Sequence, residues 1–218
     1  MSYLKLSLIR RLSVFILLFT AQLSIAQPTG FTVVKNTGEL KNALAESNNA
    51  IQTLICDFTQ VKNMALLKER IRSKGQFFFK KEDKVRIEYT HPYTYLMVMN
   101  GSQMMIRDEQ KTSKINTGNS KILQSVNRIM VDCMRGTMFQ NTDFKVNAFE
   151  NNTDYLLQLS PVNAAMKKMF SSINVYLSKK TMDVIQLVMT EQGGDNTTMS
   201  FSNIRRNTTV NEQLFKTK

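Results

Sequence analysis

Residues 75–101 alternate between apolar and polar side chains and predict β-strands with one buried face. The alternation is strict over residues 84–89, where the apolar side chains that share one side are Val85, Ile87 and Tyr89. A period of two is typical of a strand that is buried on one face only. Pro92 separates this strand from a second apolar run, and Asn100-Gly101 predicts a tight hairpin turn at the end of that run.

Two segments show helical periodicity instead. The first runs from Asn36 to about Ile55, with Asn36 or Thr37 as cap and an apolar stripe at Leu40, Leu44, Ile51 and Leu54. The second runs from Ser120 to Arg135, and its apolar stripe consists of Ile122, Val126, Ile129, Met130 and Cys133. Gly136 follows and favours the left-handed conformation that ends many helices. We expect this second helix to lie across a sheet.

The rest of the chain predicts short strands joined by turns. A strand begins near Asp57, and Met64 to Lys81 reads as another with a bulge or bend at Gly75. Residues 102–116 form a hairpin that places Met104 and Met105 on opposite faces. Five later strand-like runs recur about every ten residues, interrupted by a short helix at 164–170: 144–149, 155–159, 172–178, 183–191 and 197–204. The pattern is typical of an antiparallel meander.

The first 26 residues predict a cleaved signal peptide. Basic residues between Lys5 and Arg11 precede the apolar run Leu12–Leu23, and Ser24-Ile25-Ala26 provides a small-x-small cleavage site. We therefore expect an exported protein whose single domain spans residues 27–218. An uncleaved membrane anchor is the alternative interpretation of the same run.

The net charge of +12 narrows the classes of partner. The basic residues are scattered and not clustered in a stripe, and export also argues against a nucleic-acid ligand. Attraction to an anionic membrane surface or lipid headgroup fits the charge better. A solvated basic surface without a partner explains it equally well.

Motifs for catalysis and metal binding are missing from the sequence. It has no Gly-x-Ser-x-Gly elbow and no phosphate-binding loop, and its one imidazole, His91, precedes Pro92 at a predicted turn. One histidine and no Cys-x-x-Cys do not make a metal site, so we expect no cofactor. Cys56 and Cys133 both lie in apolar stretches, which fits either a disulfide or two buried thiols.

The composition is rich in flexible and aromatic apolar residues: the chain has 14 methionines and 13 phenylalanines but no tryptophan. Methionine re-packs around varied apolar partners, so a sheet face rich in it can close into a core or leave a cavity. Composition leaves both possibilities open.

The order of several short motifs resembles that of the LolA family, the periplasmic carriers of outer-membrane lipoproteins. The matching residues are Phe58-Thr59-Gln60, Ser73-Lys74-Gly75, Phe77 to Lys81, Val85-Arg86-Ile87-Glu88-Tyr89, Thr90-His91-Pro92 and Asn100-Gly101. The resemblance covers residues 55–101, and the later meander agrees in layout only.

The resemblance implies a half-open antiparallel β-barrel, a curved sheet with helices covering an apolar cavity that holds acyl chains. Its cavity lining would be Phe77, Phe79, Val85, Ile87, Tyr89, Met97, Met99 and Met104. The second predicted helix, with Ile122, Val126, Ile129, Met130 and Cys133, would be the lid. The implied partners are lipoprotein acyl chains, an inner-membrane transporter and an outer-membrane acceptor, and we expect a monomer.

The sequence departs from the family pattern at the lid latch. The family's latching arginine falls at Lys81, and its following proline at Glu82. Lysine cannot reproduce the planar, multi-donor contact of arginine, so the closed state would be held differently. The alternative function is a non-transport lipid- or envelope-polymer-binding sensor module on the same fold. An enzyme acting on lipids or envelope polymers is a third hypothesis, but the missing nucleophile–base set argues against it, so we expect no catalysis.

Overall fold

Among the described residues, two continuous α-helices and twelve strands make up most of the regular structure. The computed structural model describes residues 27–81, 83–119, 128, 129, 131–133 and 135–217. Helix α1 spans Thr37–Asn49 and helix α2 spans Ala164–Met169. The strands are β1 Thr32–Val33, β2 Thr53–Met64, β3 Glu69–Lys80, β4 Lys84–His91, β5 Tyr95–Asn100, β6 Gln103–Arg107, β7 Thr112–Asn116, β8 Phe144–Glu150, β9 Asp154–Pro161, β10 Phe170–Ser178, β11 Val184–Glu191 and β12 Asn196–Arg206.

All twelve strands belong to one antiparallel sheet in the order β1-β8-β9-β10-β11-β12-β2-β3-β4-β5-β6-β7. The sheet is open and curved, with β1 and β7 as its edges. This confirms the predicted mainly β architecture and the antiparallel meander. Most neighbours in the sheet are also neighbours in sequence, as expected when hairpins of turn-forming residues join the strands.

Two apolar clusters lie on opposite faces of this sheet. The larger one fills the concave side, and Ile129, Val131 and Cys133 contribute to it together with Leu40 and Leu44 of α1. The smaller one, on the convex side, is covered by the C-terminal residues after β12. Met104 belongs to the first cluster and Met105 to the second, which confirms the predicted alternation.

Helix α1 begins as predicted but ends earlier. Asn36 caps it by accepting a hydrogen bond from the backbone N–H of Glu39 at 3.2 Å. The predicted end at Ile55 is wrong: the helix stops at Asn49, and β2 starts at Thr53, four residues before the expected strand. Residues 53–56 pair with β3, so the sheet takes these apolar residues in place of a last helical turn.

Two turns and one strand irregularity refine or confirm the prediction. β3 begins at Glu69 and not at Met64, because residues 65–68 form a turn after β2. The hairpin near Asn100 turns through Gly101 and Ser102, while Asn100 itself pairs with Gln103. The predicted irregularity at Gly75 is confirmed, since the β3–β4 register shifts between Lys74 and Gly75.

The described helices give no membrane span: none of them has both the length and the apolar composition to cross a bilayer.

Candidate functional site

The eight residues predicted to line a cavity lie together on the concave face of the sheet. All eight belong to the larger apolar cluster, and six of them are at most 4% exposed: Phe77, Phe79, Val85, Ile87, Met99 and Met104. Tyr89 and Met97 are half-buried members of the same cluster. Strand alternation and register therefore bring the predicted residues into one surface.

Strand register makes this surface continuous. Ile87 stands opposite Phe77 on β3 and opposite Met97 on β5, and Val85 stands opposite Phe79 and Met99 in the same way. Met99 in turn faces Met104 on β6. Directly opposed side chains on one face are the closest neighbours that a sheet provides. The result is an apolar floor across β3, β4, β5 and β6.

The Phe-x-Gln element and the Tyr of the Glu-Tyr pair meet at one end of this floor. The Tyr89 hydroxyl donates a hydrogen bond to Oε1 of Gln60 at 2.8 Å. The ring of Tyr89 packs edge-on against Phe58, with 5.0 Å between the centroids. Burial raises the pKa of Tyr89 to about 12, so its hydroxyl stays a neutral donor at physiological pH.

Gly75 makes this contact possible. A Cβ at this position would lie 2.0 Å from the backbone oxygen of Glu88 and 2.8 Å from the Phe58 ring. Any other residue would therefore push β3 away from β4 or displace Phe58. The three short motifs noted in the sequence are thus one packing unit.

The cover of the floor consists of α1 and the helical residues 128, 129, 131–133 and 135. Leu40 and Leu44 of α1 are buried in the concave cluster, as are Ile129, Val131 and Cys133. The predicted lid residues Ile122, Val126 and Met130 lie outside the described residues, so the structure does not test them. Val131 lies off the predicted stripe, and its burial was not foreseen.

Gly136 fixes the contact between the two parts of the cover. It adopts the predicted left-handed conformation, with φ of +65°, and a Cβ there would lie 2.4 Å from Nδ2 of Asn48. Asn48 is itself buried and donates from Nδ2 to the backbone oxygen of Leu44 at 2.9 Å. Only glycine lets the chain pass so close to α1.

In this structure the floor is shielded from solvent, since six of its eight residues are at most 4% exposed. Beside the floor, where α1 and Cys133 meet β2, β11 and β12, a void of about 10 Å³ is lined by Asn48, Leu54, Cys56, Cys133, Asp183, Val184, Phe201 and Ile204. A drug-sized ligand needs several hundred Å³, roughly 300–1,000 Å³. The structure is therefore a closed form, in which the cover occupies the floor.

The turn between β3 and β4 is tied to both parts of the cover. Lys81 donates from Nζ to the backbone oxygen of Asn49, at the C-terminal end of α1, at 3.4 Å. Asp83 forms an ion pair with Arg135, with 3.0 Å between Oδ1 and the guanidinium. Both side chains of this pair are more than a third exposed, so the contact is weak and easily broken. Glu82 lies outside the described residues.

Arg206 of β12 forms a third tie. Its guanidinium donates to Oδ1 of Asp183 at 2.8 Å and to Oγ of Ser47 on α1 at 3.1 Å. The hydrogen bond to Ser47 connects the C-terminal part of α1 to β12. The Asp83–Arg135 pair is a described ion pair between the β3–β4 turn and the later helical residues of the cover.

The two cysteines face the same small void and are not bonded to each other. Burial raises the pKa of both thiols to about 12, and nearby Asp57 and Asp132 add to the effect for Cys56 and Cys133 respectively. Both thiols are thus protonated and act as small apolar groups, one on the floor and one on the cover. Of the two alternatives that the sequence allowed, a disulfide or two buried thiols, the structure has two buried thiols.

A polar cleft of about 530 Å³ opens at the edge of the cover, beside the Asp83–Arg135 pair. It is lined by Asp83, Gly101, Ser102, Thr117, Gly118, Arg128, Val131, Asp132 and Arg135. Burial raises the pKa of Asp132, although hydrogen bonds from Thr137 and Asn141 oppose the shift. Across the described residues, no cluster of three or more His, Cys, Asp or Glu side chains could hold a metal ion.

Residues 49–218 match the family model described as "Outer membrane lipoprotein carrier protein LolA". The chain belongs to the LolA family. A curated relative, the outer-membrane lipoprotein carrier protein of Methylococcus capsulatus, is 25% identical over 174 residues, covering 77% of this chain and 78% of the relative.

Solved structures similar to this LolA-family chain share little sequence with it. A LolA superfamily protein from Nitrosomonas europaea aligns with a TM-score of 0.44 and 8% identity over 81% of this chain and 97% of its own. The lipoprotein LppX of Mycobacterium tuberculosis aligns with a TM-score of 0.42 and 9% identity over 79% and 96%. At such scores neither structure supports a functional assignment.

The sequence alone did not point to the Asp83–Arg135 ion pair. Arg135 was the last residue of a predicted helix, and Asp83 was one of two acidic residues in a turn. The one available signal was the absence of the family's arginine at Lys81, which indicated that another contact takes its place.

Proposed function

We propose that the protein is a carrier that binds the acyl chains of lipoproteins on its concave apolar floor. The observation that carries this proposal is the floor itself: eight aromatic, aliphatic and methionine side chains in register, covered by helical residues and not by another sheet. Membership of a family described as lipoprotein carriers supports it. Such binding needs no catalytic group and no cofactor.

In this proposal the cover takes the place of the cargo in the closed form. Leu40, Leu44, Ile129, Val131 and Cys133 shield the floor from water when no lipid is present. Acyl chains replace them on binding, and each buried methylene contributes roughly 0.8 kcal/mol. Because cargo and cover compete for one surface, the two states can lie close in free energy, and a partner can shift the balance towards release.

The transport route follows from the family and from the predicted signal peptide. The domain of residues 27–218 would work in the periplasm as a monomer, after cleavage behind Ala26. It would receive lipoproteins from an inner-membrane transporter and deliver them to an outer-membrane acceptor.

A binding assay with a triacylated lipopeptide tests the proposal. The exported protein is first analysed by native mass spectrometry for co-purified acyl species, and lipopeptide binding is then titrated by fluorescence. We expect saturable binding that Met97→Asp abolishes, since Met97 is a half-buried residue of the floor. Protein that is lipid-free and fails to bind the lipopeptide would contradict the carrier function.

Met105→Asp is the matched control. Met105 lies on the neighbouring strand but on the convex face, and it is more deeply buried than Met97, at 9% exposure. If loss of binding reflected unfolding alone, this control would lose more than Met97→Asp. We expect it to bind lipopeptide normally at temperatures where circular dichroism shows both variants folded.

A further inference from the structure

Exposed apolar side chains are concentrated at one end of the sheet. Of the five large apolar residues that are exposed among the described residues, four lie in connections at this end: Leu66, Leu67, Tyr93 and Val162. Strand register establishes the common end, because β2 finishes where β3 and β12 start, and β9 finishes near the start of β10. Val33 lies at the other end, opposite Phe149.

The turn between β2 and β3 is the most exposed part of this end. Leu66 is 92% exposed and Leu67 is 59% exposed. The turn sequence Ala65-Leu66-Leu67-Lys68 contains none of the Gly, Pro, Asn, Asp or Ser residues that favour turns. Lys68 even adopts a positive φ of 52°, which is costly for a lysine. Turn formation therefore does not explain why two leucines stand here.

Polar contacts join the hairpin that presents the leucines to the neighbouring β11–β12 turn. The backbone N–H of Ala65 donates to Oδ1 of Asp195 at 3.0 Å, in the turn between β11 and β12. Lys62 forms ion pairs with Glu191 at 3.1 Å and with Asp195 at 3.8 Å. On its other side the hairpin projects past β4, whose pairing with β3 ends at Lys74. Five β3 residues beyond that point correspond to about 17 Å at roughly 3.3 Å per residue.

A row of basic residues leads from this tip along the convex face of β3. Arg70, Arg72 and Lys74 alternate with inward-facing residues, and all three are exposed, as is Lys68 in the turn. Glu69 is the one acidic residue among them, and Asn63 accepts a hydrogen bond from Arg70 at 2.9 Å. Lys62 pairs with both Glu191 and Asp195 and offsets one of these two negative charges, so the basic residues near the tip still outnumber the acidic ones. The tip thus combines apolar side chains with a net positive flank.

We propose that this hairpin tip docks the carrier on the surface of an anionic lipid bilayer. Two protruding leucines are too small a patch for a stable protein interface, which needs hundreds of Å² on each partner. They suit shallow insertion between headgroups, while the basic row lies against the lipid phosphates. The inference rests on the proposed carrier function only in that carriage would explain why the protein docks on a membrane. The docking itself does not depend on cargo binding.

Sedimentation with sucrose-loaded vesicles tests the docking. We expect the wild-type chain to bind vesicles of 30% phosphatidylglycerol in phosphatidylcholine at least ten-fold more tightly than pure phosphatidylcholine vesicles at low salt. Leu66→Ser/Leu67→Ser should weaken binding at least ten-fold. Arg72→Glu/Lys74→Glu should weaken it about ten-fold and reduce its dependence on salt, because fewer ionic contacts remain to be screened.

Two controls change the same chemistry at the opposite end of the sheet. Val33→Ser removes an exposed apolar side chain there, and Arg205→Glu/Lys216→Glu reverses two exposed charges. Both should bind vesicles within two-fold of wild type. Absence of wild-type binding to the anionic vesicles, binding that requires an added membrane protein, or full binding by the double-serine variant would each overturn the proposal.

Lipopeptide binding separates this proposal from the carrier function. The hairpin variants should bind the triacylated lipopeptide normally, whereas Met97→Asp should lose lipopeptide and still sediment with vesicles. A chain that binds vesicles but never lipopeptide would disprove carriage and leave the docking intact.

Discussion

The same strands carry two apolar surfaces, and the two are covered in different ways. On β3, β4, β5 and β6, alternate residues face the concave floor and the convex cluster: Phe77 and Phe79 point inward, and Phe78 points outward. The convex cluster is smaller, and it is covered by the short 3-10 helix Glu212–Phe215 after β12. Both surfaces are shielded from water, so burial alone does not distinguish them.

The two surfaces differ in the polar contacts that hold their covers in place. Glu212 pairs with Lys80 and Lys84, Arg86 donates to the backbone oxygen of Leu214 at 3.2 Å, and Asn100 donates to that of Phe215 at 3.2 Å. The convex cover is thus held by several directional contacts along four residues. The described ties of the concave cover, in contrast, lie at its margins, and its centre rests on apolar contact. We call the convex cover permanent and the concave cover exchangeable, because under the proposed carrier function an acyl chain would replace apolar contacts but not directed polar ones.

Removing the anchor of the permanent cover should have the largest effect. Phe215→Ala deletes a ring that is 1% exposed in the convex cluster, and we expect it to lower the free energy of unfolding by about 3 kcal/mol. Chemical denaturation measures this loss, with the half-buried Leu214→Ala as the smaller control. Lipopeptide binding of the folded variant should be unchanged; reduced binding would mean that the two covers are not independent.

Gly136→Ala should loosen the exchangeable cover. A methyl group there meets Asn48 at 2.4 Å and requires an unfavourable positive φ, so we expect a loss of about 2 kcal/mol in stability and faster uptake of lipopeptide. Gly101→Ala is the matched control, because Gly101 also has a positive φ but nothing lies within 4 Å of its Cβ position. Equal effects of the two variants would show that backbone strain, and not contact with α1, causes the change.

Breaking the Asp83–Arg135 pair should have a smaller effect. Exposed ion pairs contribute about 0.2–1 kcal/mol, so Arg135→Gln should raise the rate of lipopeptide uptake by up to about five-fold. Stopped-flow fluorescence measures the rate, and the exchange Asp83→Arg/Arg135→Asp should restore it. The Lys81→Gln variant tests the predicted latch in the same assay. If only Lys81→Gln accelerates uptake, the latch lies at α1 and not at Arg135.

The smallest effect is a pH dependence of the permanent cover. Hydrogen bonds from Lys80 and Lys84 lower the pKa of Glu212 in the folded chain below its usual value of 4.5. The stabilisation is therefore present above pH 4.5 and is lost as pH falls through the lower folded pKa. Thermal unfolding of wild type and Glu212→Gln should differ at pH 6 and converge as the pH approaches 3. A constant difference across this range would contradict the assignment.

Particular residues show how far the sequence alone could lead. The floor was predictable because strand alternation assigns Val85, Ile87 and Tyr89 to one face whatever the neighbouring strands are. The closed state was not, because whether α1 and the later helix fill the floor depends on the fit between segments that are distant in the chain. The early end of α1 was missed for a related reason: Leu54 fits a helical stripe, but pairing with Phe79 places it in the sheet.

The convex cluster could not be predicted for the same reason, since it also depends on segments that are distant in the chain. Val210, Leu214 and Phe215 look like isolated apolar residues in a polar tail, and their burial follows only from the surface that β3, β5 and β6 present. The tip leucines give the opposite case, since their sequence resembles that of a buried strand and only the fold exposes them.

The sequence by itself determined the antiparallel meander, the face on which the side chains of β4 lie, the left-handed Gly136 and the family. These features depend on local periodicity and on backbone preferences that neighbouring residues set. Tertiary structure alone decided which segments cover each apolar face, which cover is held by polar contacts along its length and which leucines reach solvent. Such outcomes depend on contacts between residues far apart in the chain, whose free energies no local pattern encodes.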